Sequence, residues 1–173
     1  MGQSVNAGGI ITNKYDEDFK KVVIFLPVGT DWRLLKAQCY QESRLNPLAV
    51  SPVGAMGLCQ FMPNTALDLN EKYSDLGDFW LPEVSIRAAA YYMGELNKFW
   101  SSPRSFMDRY MLALASYNAG AGNILKAQKL SGGETEYLLI IRELPNVKWV
   151  DSKQTIDYVN RIVKEHYIYL LFN

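Results

Sequence analysis

Apolar positions recur at helical spacing from Asp16 almost to the C-terminus, interrupted by proline and glycine punctuation. Asp16-Glu17-Asp18 supplies an acidic first turn to a helix running to about Leu26, which Pro27 ends and Gly29 follows. Thr30 or Asp31 can cap a second helix, from Trp32 to about Arg44, and Asn46-Pro47 terminates it. Residues 45–62 break the period. Asn46-Pro47, Ser51-Pro52, Gly54 and Gly57 predict a structured loop there, with room for a short strand. Pro63 suits the first position of a helix reaching about Glu71. After a loop over 73–81, Pro82 opens another helix to about Trp100. Ser105 caps the next, in which Met107, Met111, Leu114 and Ala115 keep helical spacing; it stops near Asn118 with Gly120 and Gly122 behind it. Ile124–Leu130 and Thr135–Leu144 are expected as two short helices, split by Ser131-Gly132-Gly133 and ended by Pro145, before a last helix from about Lys153 to Leu171. The pattern therefore predicts a mainly α chain: a flexible N-terminal segment over 1–14, then one domain over 15–173 without internal repeats.

A chain of 173 residues is long enough to bury a core without metal or disulfide staples. Eighteen basic residues balance eighteen acidic ones and no basic stripe stands out, which argues against a nucleic-acid partner. Cys39 and Cys59 are two cysteines only, and two buried free thiols are the expectation, with a disulfide as the alternative. His166 is the sole histidine; with two separated cysteines it makes no credible zinc site, and no metal or cofactor is expected. The N-terminus lacks a basic n-region, and no early apolar run could span a bilayer, so neither a signal peptide nor an integral membrane segment is expected.

Candidate chemistry starts at Glu42. On a helix, Leu35, Cys39 and Glu42 fall on one face, so the carboxyl lies at the end of an apolar stripe just before the Gly/Pro-rich loop. Desolvation and the negative end of the helix dipole both favour the protonated acid, as a general acid for a glycosidic oxygen requires. The plainer alternative is a surface Glu paired with Arg44 or Lys36.

Gln41-Glu42-Ser43, the stretch Gly57-Leu58-Cys59-Gln60, Ser116-Tyr117-Asn118-Ala119-Gly120 and Gln154-Thr155-Ile156-Asp157-Tyr158-Val159 stand in the order found in lytic transglycosylases. With Pro82-Glu83-Val84-Ser85-Ile86 as a fifth stretch, the chain resembles that family over roughly residues 15–170. The family includes the catalytic domains of soluble lytic murein transglycosylases and is goose-type-lysozyme-like. Cys59, Ser85, Ala89 and Gln154 stand where the family usually has Met, Asn, Gly and Glu.

The resemblance implies a lysozyme-like α+β fold, with a helical bundle and a minimal β/loop segment lining a glycan cleft. It implies cleavage of the peptidoglycan bond between N-acetylmuramic acid and N-acetylglucosamine by Glu42 alone, acid then base, giving 1,6-anhydromuramyl products. The absence of any Asp or Glu from 45–62 agrees with a single-carboxylate mechanism. By the same resemblance Ser43, Gly57, Leu58, Gln60, Tyr117, Asn118 and Tyr158 bind or shape the substrate site. Gln60 is expected to hydrogen-bond the glycan, Tyr117 and Asn118 to point into the cleft, and Tyr158 to strengthen the protonated form of Glu42. For Ser43 a helix-terminal hydroxyl bonding backbone is an equal alternative. The rivals in function are a hydrolytic muramidase and an inactive peptidoglycan-binding protein of the same fold. The expected setting is a bacteriophage product, held in a virion or in host cytoplasm before release, acting on the periplasmic wall. A holin or virion partner would assist it, and the enzyme itself is expected to be a monomer.

Overall fold

The computed structural model describes residues 5–6, 9–10, 12–74 and 76–172. Among them eight α-helices carry the architecture: α1 (Asp16–Lys21), α2 (Trp32–Ser43), α3 (Pro63–Lys72), α4 (Pro82–Phe99), α5 (Phe106–Ala119), α6 (Ala121–Leu130), α7 (Tyr137–Ile141) and α8 (Ser152–Phe172). Much of the expected N-terminal flexible segment lies outside the described residues; within it Val5–Asn6 pairs antiparallel with Gly9–Ile10. The only other β geometry among the described residues is two isolated bridges, Val50 to Met56 and Met56 to Phe61, inside the predicted loop.

Local chemistry accounts for most boundaries. Asp31 caps α2 by accepting from the Arg33 amide at 3.0 Å, and Ser105 caps α5 by accepting from the Asp108 amide at 3.0 Å. Pro63 and Pro82 open α3 and α4 where a missing N–H costs nothing. Three boundaries differ from the expected ones. The first helix gives way after Lys21 to a 3-10 turn, Val22–Phe25. Gly120, at φ +84°, redirects the chain in a single residue, so α6 begins at Ala121 rather than Ile124. Pro145 does not end the penultimate helix; α7 stops at Ile141, and Pro145 lies inside a 3-10 turn, Leu144–Asn146.

The core forms around α5. Its residues Leu112 to Ser116 are all buried, so this stretch of the helix is enclosed on every side, while Phe106 and Met107 in the first turn stay exposed. It packs against α4, α6, α7 and α8, while α2 lies along α8. The run Ala88-Ala89-Ala90 in α4 is fully buried, and small side chains there let neighbouring helices come close. Residues from Tyr15 to Tyr169 form one continuous buried cluster. The C-terminal end of α2 and the N-terminal third of α8 meet beside the 45–62 loop.

Candidate active site

Glu42 occupies the last turn of α2, and Tyr158 reaches it from α8 across 116 positions of sequence, with its hydroxyl donating to Glu42 Oε1 at 2.5 Å. The Glu42 side chain is only partly open to solvent, and burial lifts its pKa from 4.5 to about 7. The Tyr158 hydrogen bond works against that rise, because a hydroxyl donating to a carboxylate stabilises the charged form. This corrects the expected sign of Tyr158's influence. Its own ionisation is pushed well above 10, by burial first and by Glu42 second, so it stays a donor. The ion pairs offered as the plainer account of Glu42 do not form: Lys36 is bound to Asp16, and the Arg44 guanidinium lies over the Tyr40 ring at 4.6 Å.

The 45–62 loop is fastened to three helices at the point where it passes Glu42. Ser43 Oγ donates to the Leu58 carbonyl at 2.6 Å and accepts from the Asn46 amide at 3.1 Å. Tyr117 Oη, from α5, donates to the Cys59 carbonyl at 2.8 Å. The Cys59 amide in turn donates to Ser85 Oγ of α4 at 3.1 Å. Cys39 and Cys59 form a disulfide, with Cα atoms 4.5 Å apart. The expectation of two free thiols is corrected here: the α2 face carrying Cys39 packs directly against the turn carrying Cys59, and both are fully buried.

These bonds reassign several residues expected to touch substrate. Ser43 takes the backbone-bonding alternative. Leu58 is fully buried, so its side chain belongs to the core and only its carbonyl takes part, as the acceptor for Ser43. Tyr117 does not present its hydroxyl to the cleft; its ring packs among Phe61 and Tyr92 and its hydroxyl holds the loop. Gly57 sits at φ +78°, and a Cβ there would lie 2.6 Å from the Phe79 carbonyl oxygen, so no other residue fits. Gln60 uses its amide nitrogen inside the loop, donating to Ala49 O at 3.0 Å and Gly57 O at 2.8 Å, which leaves Oε1 as the group it can turn to a ligand. Asn118 Oδ1 accepts from Thr155 Oγ1 at 2.9 Å, and Asn118 lines a depression with Thr155 and Gln154.

The sequence reading missed three features of the site. Ser85 was noted only as a departure from the family pattern, yet its hydroxyl anchors the Cys59 amide. Arg44 and Leu45, at φ 58° and 60°, end α2 in left-handed geometry without glycine. Gln60, at φ 54°, is left-handed too. No residue type marks the left-handed positions, whose hydrogen bonds stay within the end of α2 and the loop, and the Ser85 bond spans 26 positions of sequence. Among the described residues no cluster of His, Cys, Asp or Glu could hold a metal ion, and no helix is long and apolar enough to cross a membrane.

Residues 28–140 match the transglycosylase SLT domain family. Among curated proteins, membrane-bound lytic murein transglycosylase F of Hahella chejuensis is 33% identical over 159 residues, covering 90% of this chain and 28% of that protein. The protein of the same name from Pectobacterium atrosepticum is 44% identical over 101 residues, covering 58% of this chain and 20% of its own. The chain thus spans about a quarter of the length of these relatives. Among solved structures, the 70 kDa soluble lytic transglycosylase of Escherichia coli superimposes with a TM-score of 0.74 at 25% identity, over 93% of this chain and 25% of that one. The lytic transglycosylase of Pseudomonas aeruginosa, solved as an inactive glutamate-to-glutamine mutant, gives 0.71 at 26% identity, over 92% of this chain and 24% of that one. The mainly helical, lysozyme-like fold expected from the sequence is thereby borne out.

Proposed function

The chain belongs to the transglycosylase SLT domain family, and from that premise we propose that it cleaves peptidoglycan glycan strands with Glu42 as the only catalytic carboxyl. The observation that carries this reading is the state of Glu42: partly accessible, held near pKa 7 by burial, and hydrogen-bonded to Tyr158. No neighbouring carboxylate contributes to that value, and none occurs in the 45–62 loop. A glycosidase working through two protein carboxylates needs a second one across the bond. With one, the substrate must supply the partner.

Protonated Glu42 gives its proton to the glycosidic oxygen between N-acetylmuramic acid and N-acetylglucosamine as the β-1,4 bond breaks. The 2-acetamido oxygen of the muramyl residue stabilises the positive charge left at C1. The Glu42 carboxylate then draws the proton from the same sugar's 6-hydroxyl, whose oxygen closes on C1. The products are a free 4-hydroxyl on one strand and a 1,6-anhydromuramyl end on the other, with Glu42 again protonated and no water consumed. Tyr158 supports the second half of this cycle, since its hydroxyl favours the carboxylate. Gln60 Oε1 and the Asn118 amide are the polar groups left to orient the sugars. The relatives' names, membrane-bound and murein, support the cell wall as the place of work; delivery by a holin or virion component belongs to the same proposal.

Mass spectrometry of purified sacculi after digestion tests the reading. Anhydromuramyl fragments, one water lighter than hydrolytic ones, are expected from the wild type, and Glu42→Gln should lose at least about a hundredfold in rate. Reducing-end fragments alone would instead identify a hydrolytic muramidase.

A further inference from the structure

Cys39 and Cys59 are the only cysteines of the chain, and both lie at the site. Cys39 stands three positions before Glu42 in α2, and Cys59 stands directly before Gln60. Their disulfide closes a ring of chain, 20 positions long, that contains Glu42, Ser43 and the loop up to Leu58. A chain of 173 residues has core enough to fold without a staple. Both cysteines are fully buried, so they serve the contact between helix and turn rather than chemistry on a ligand. Cys59 also stands where the family usually has Met, so the cross-link belongs to this chain and not to the family pattern.

The turn 57–60 is held from three sides. Ser85 of α4 accepts from the Cys59 amide at 3.1 Å, and Tyr117 of α5 donates to the Cys59 carbonyl at 2.8 Å. Toward α2, the helix that carries Glu42, the fastenings are the Ser43–Leu58 hydrogen bond at 2.6 Å and the disulfide. Those two fix Glu42 against Gln60. Two thiols that are not bonded to each other need more room than a disulfide, and a close-packed interior has little to give. With Cα atoms only 4.5 Å apart, Cys39 and Cys59 as thiols push α2 away from the turn. The shift falls on the Ser43–Leu58 bond and on the packing that keeps water from Glu42.

We propose that Cys39 and Cys59 are a redox switch on the site: the dithiol enzyme is folded but slow, and the disulfide enzyme is the active one. A disulfide such as oxidised glutathione is the oxidant. One cysteine thiolate attacks it and expels one glutathione thiolate, and the second cysteine then displaces the other from the mixed disulfide. Two protein thiols become one disulfide, and the oxidant takes up the two electrons and two protons as two thiols. The inference rests on the glycan-cleaving reading above and adds regulation to it. Thiols persist in a reducing cytosol and pair in an oxidising space outside it, so the enzyme gains activity on the side of the membrane where peptidoglycan lies.

For the test, the full chain is purified under reductant and half of it is oxidised with glutathione disulfide; intact mass tells the two forms apart by two hydrogens. Release of glycan fragments from purified sacculi should be at least about tenfold slower for the dithiol form, since a misplacement of about an ångström at the reacting groups suffices for such a loss. The alkaline limb of its pH profile should also lie lower, because water reaching Glu42 removes the burial that holds its pKa near 7. A smaller folded fraction would scale the rate without moving that limb. Cys39→Ala with Cys59→Ala should give one rate in both buffers, and circular dichroism should show equal helix in the two wild-type forms. Equal rates and equal limbs in those forms would overturn the inference, as would a redox response that survives in the double variant. A dithiol form without helical signal would make the bond a staple of the whole fold and overturn it too. Absence of fragments from either form would overturn the cleavage reading, and this inference with it.

Discussion

At Glu42 two effects oppose each other: burial raises the carboxyl to about pKa 7, and the Tyr158 hydroxyl pulls it down. The acid was legible in the sequence because its apolar neighbours share a helical face and a Gly/Pro-rich loop follows. The sign of Tyr158's effect was not, because it depends on which partner donates, and only the buried, always-protonated phenol decides that. Removing the donor gives a clear outcome. In Tyr158→Phe the pKa of Glu42 should rise above 7, so the alkaline limb of the kcat/KM profile should move to higher pH while the maximal rate falls. A limb moving toward lower pH would restore the opposite role for Tyr158.

At the scale of elements, the 45–62 loop works as a rigid wall of the site. Its punctuation was visible in the sequence, but its fastening was not. Ser43, Leu58 and Tyr117 looked like substrate contacts because they flank the acid or sit in the recognisable motifs; the structure commits them to carbonyls and core. Long-range bonds from α4 and α5 could not be read from local spacing. Nor could the Cys39–Cys59 bond, since two cysteines twenty positions apart pair only if helix and loop pack face to face. Gly57 tests the rigidity. Gly57→Ala places a methyl 2.6 Å from the Phe79 carbonyl oxygen at φ +78°, and should cost roughly 2–4 kcal/mol in denaturant midpoint measurements, with activity falling alongside. A loss below about 0.5 kcal/mol, within the range of ordinary surface changes, would mean that the loop yields easily.

For the whole molecule, helix order was readable because proline, glycine and capping residues mark nearly every boundary. The misplaced ends, near Lys21, Ala121 and Ile141, are those where 3-10 geometry or a one-residue turn replaced the expected break. The burial that makes Glu42 an acid also affects global stability. Its folded pKa of about 7 lies above the ordinary 4.5, so between those values the folded state holds more protons than the unfolded one. Stability from this group is therefore complete below about pH 4.5 and is lost as pH rises toward 7, by up to about 3 kcal/mol. Glu42→Gln keeps an acceptor for Tyr158 without the charge. Its melting temperature should exceed wild type by several degrees at pH 8 and converge with it near pH 4.5. Equal differences at both pH values would show that the charge carries no such cost.

The most direct test is a titration of the Glu42 carboxyl itself, followed by carbon NMR in protein labelled at glutamate side chains and assigned by comparison with Glu42→Gln. A midpoint near 7, well apart from the exposed glutamates, is the expected result. A midpoint near 4.5 would leave Glu42 ionised at neutral pH and contradict its role as the proton donor.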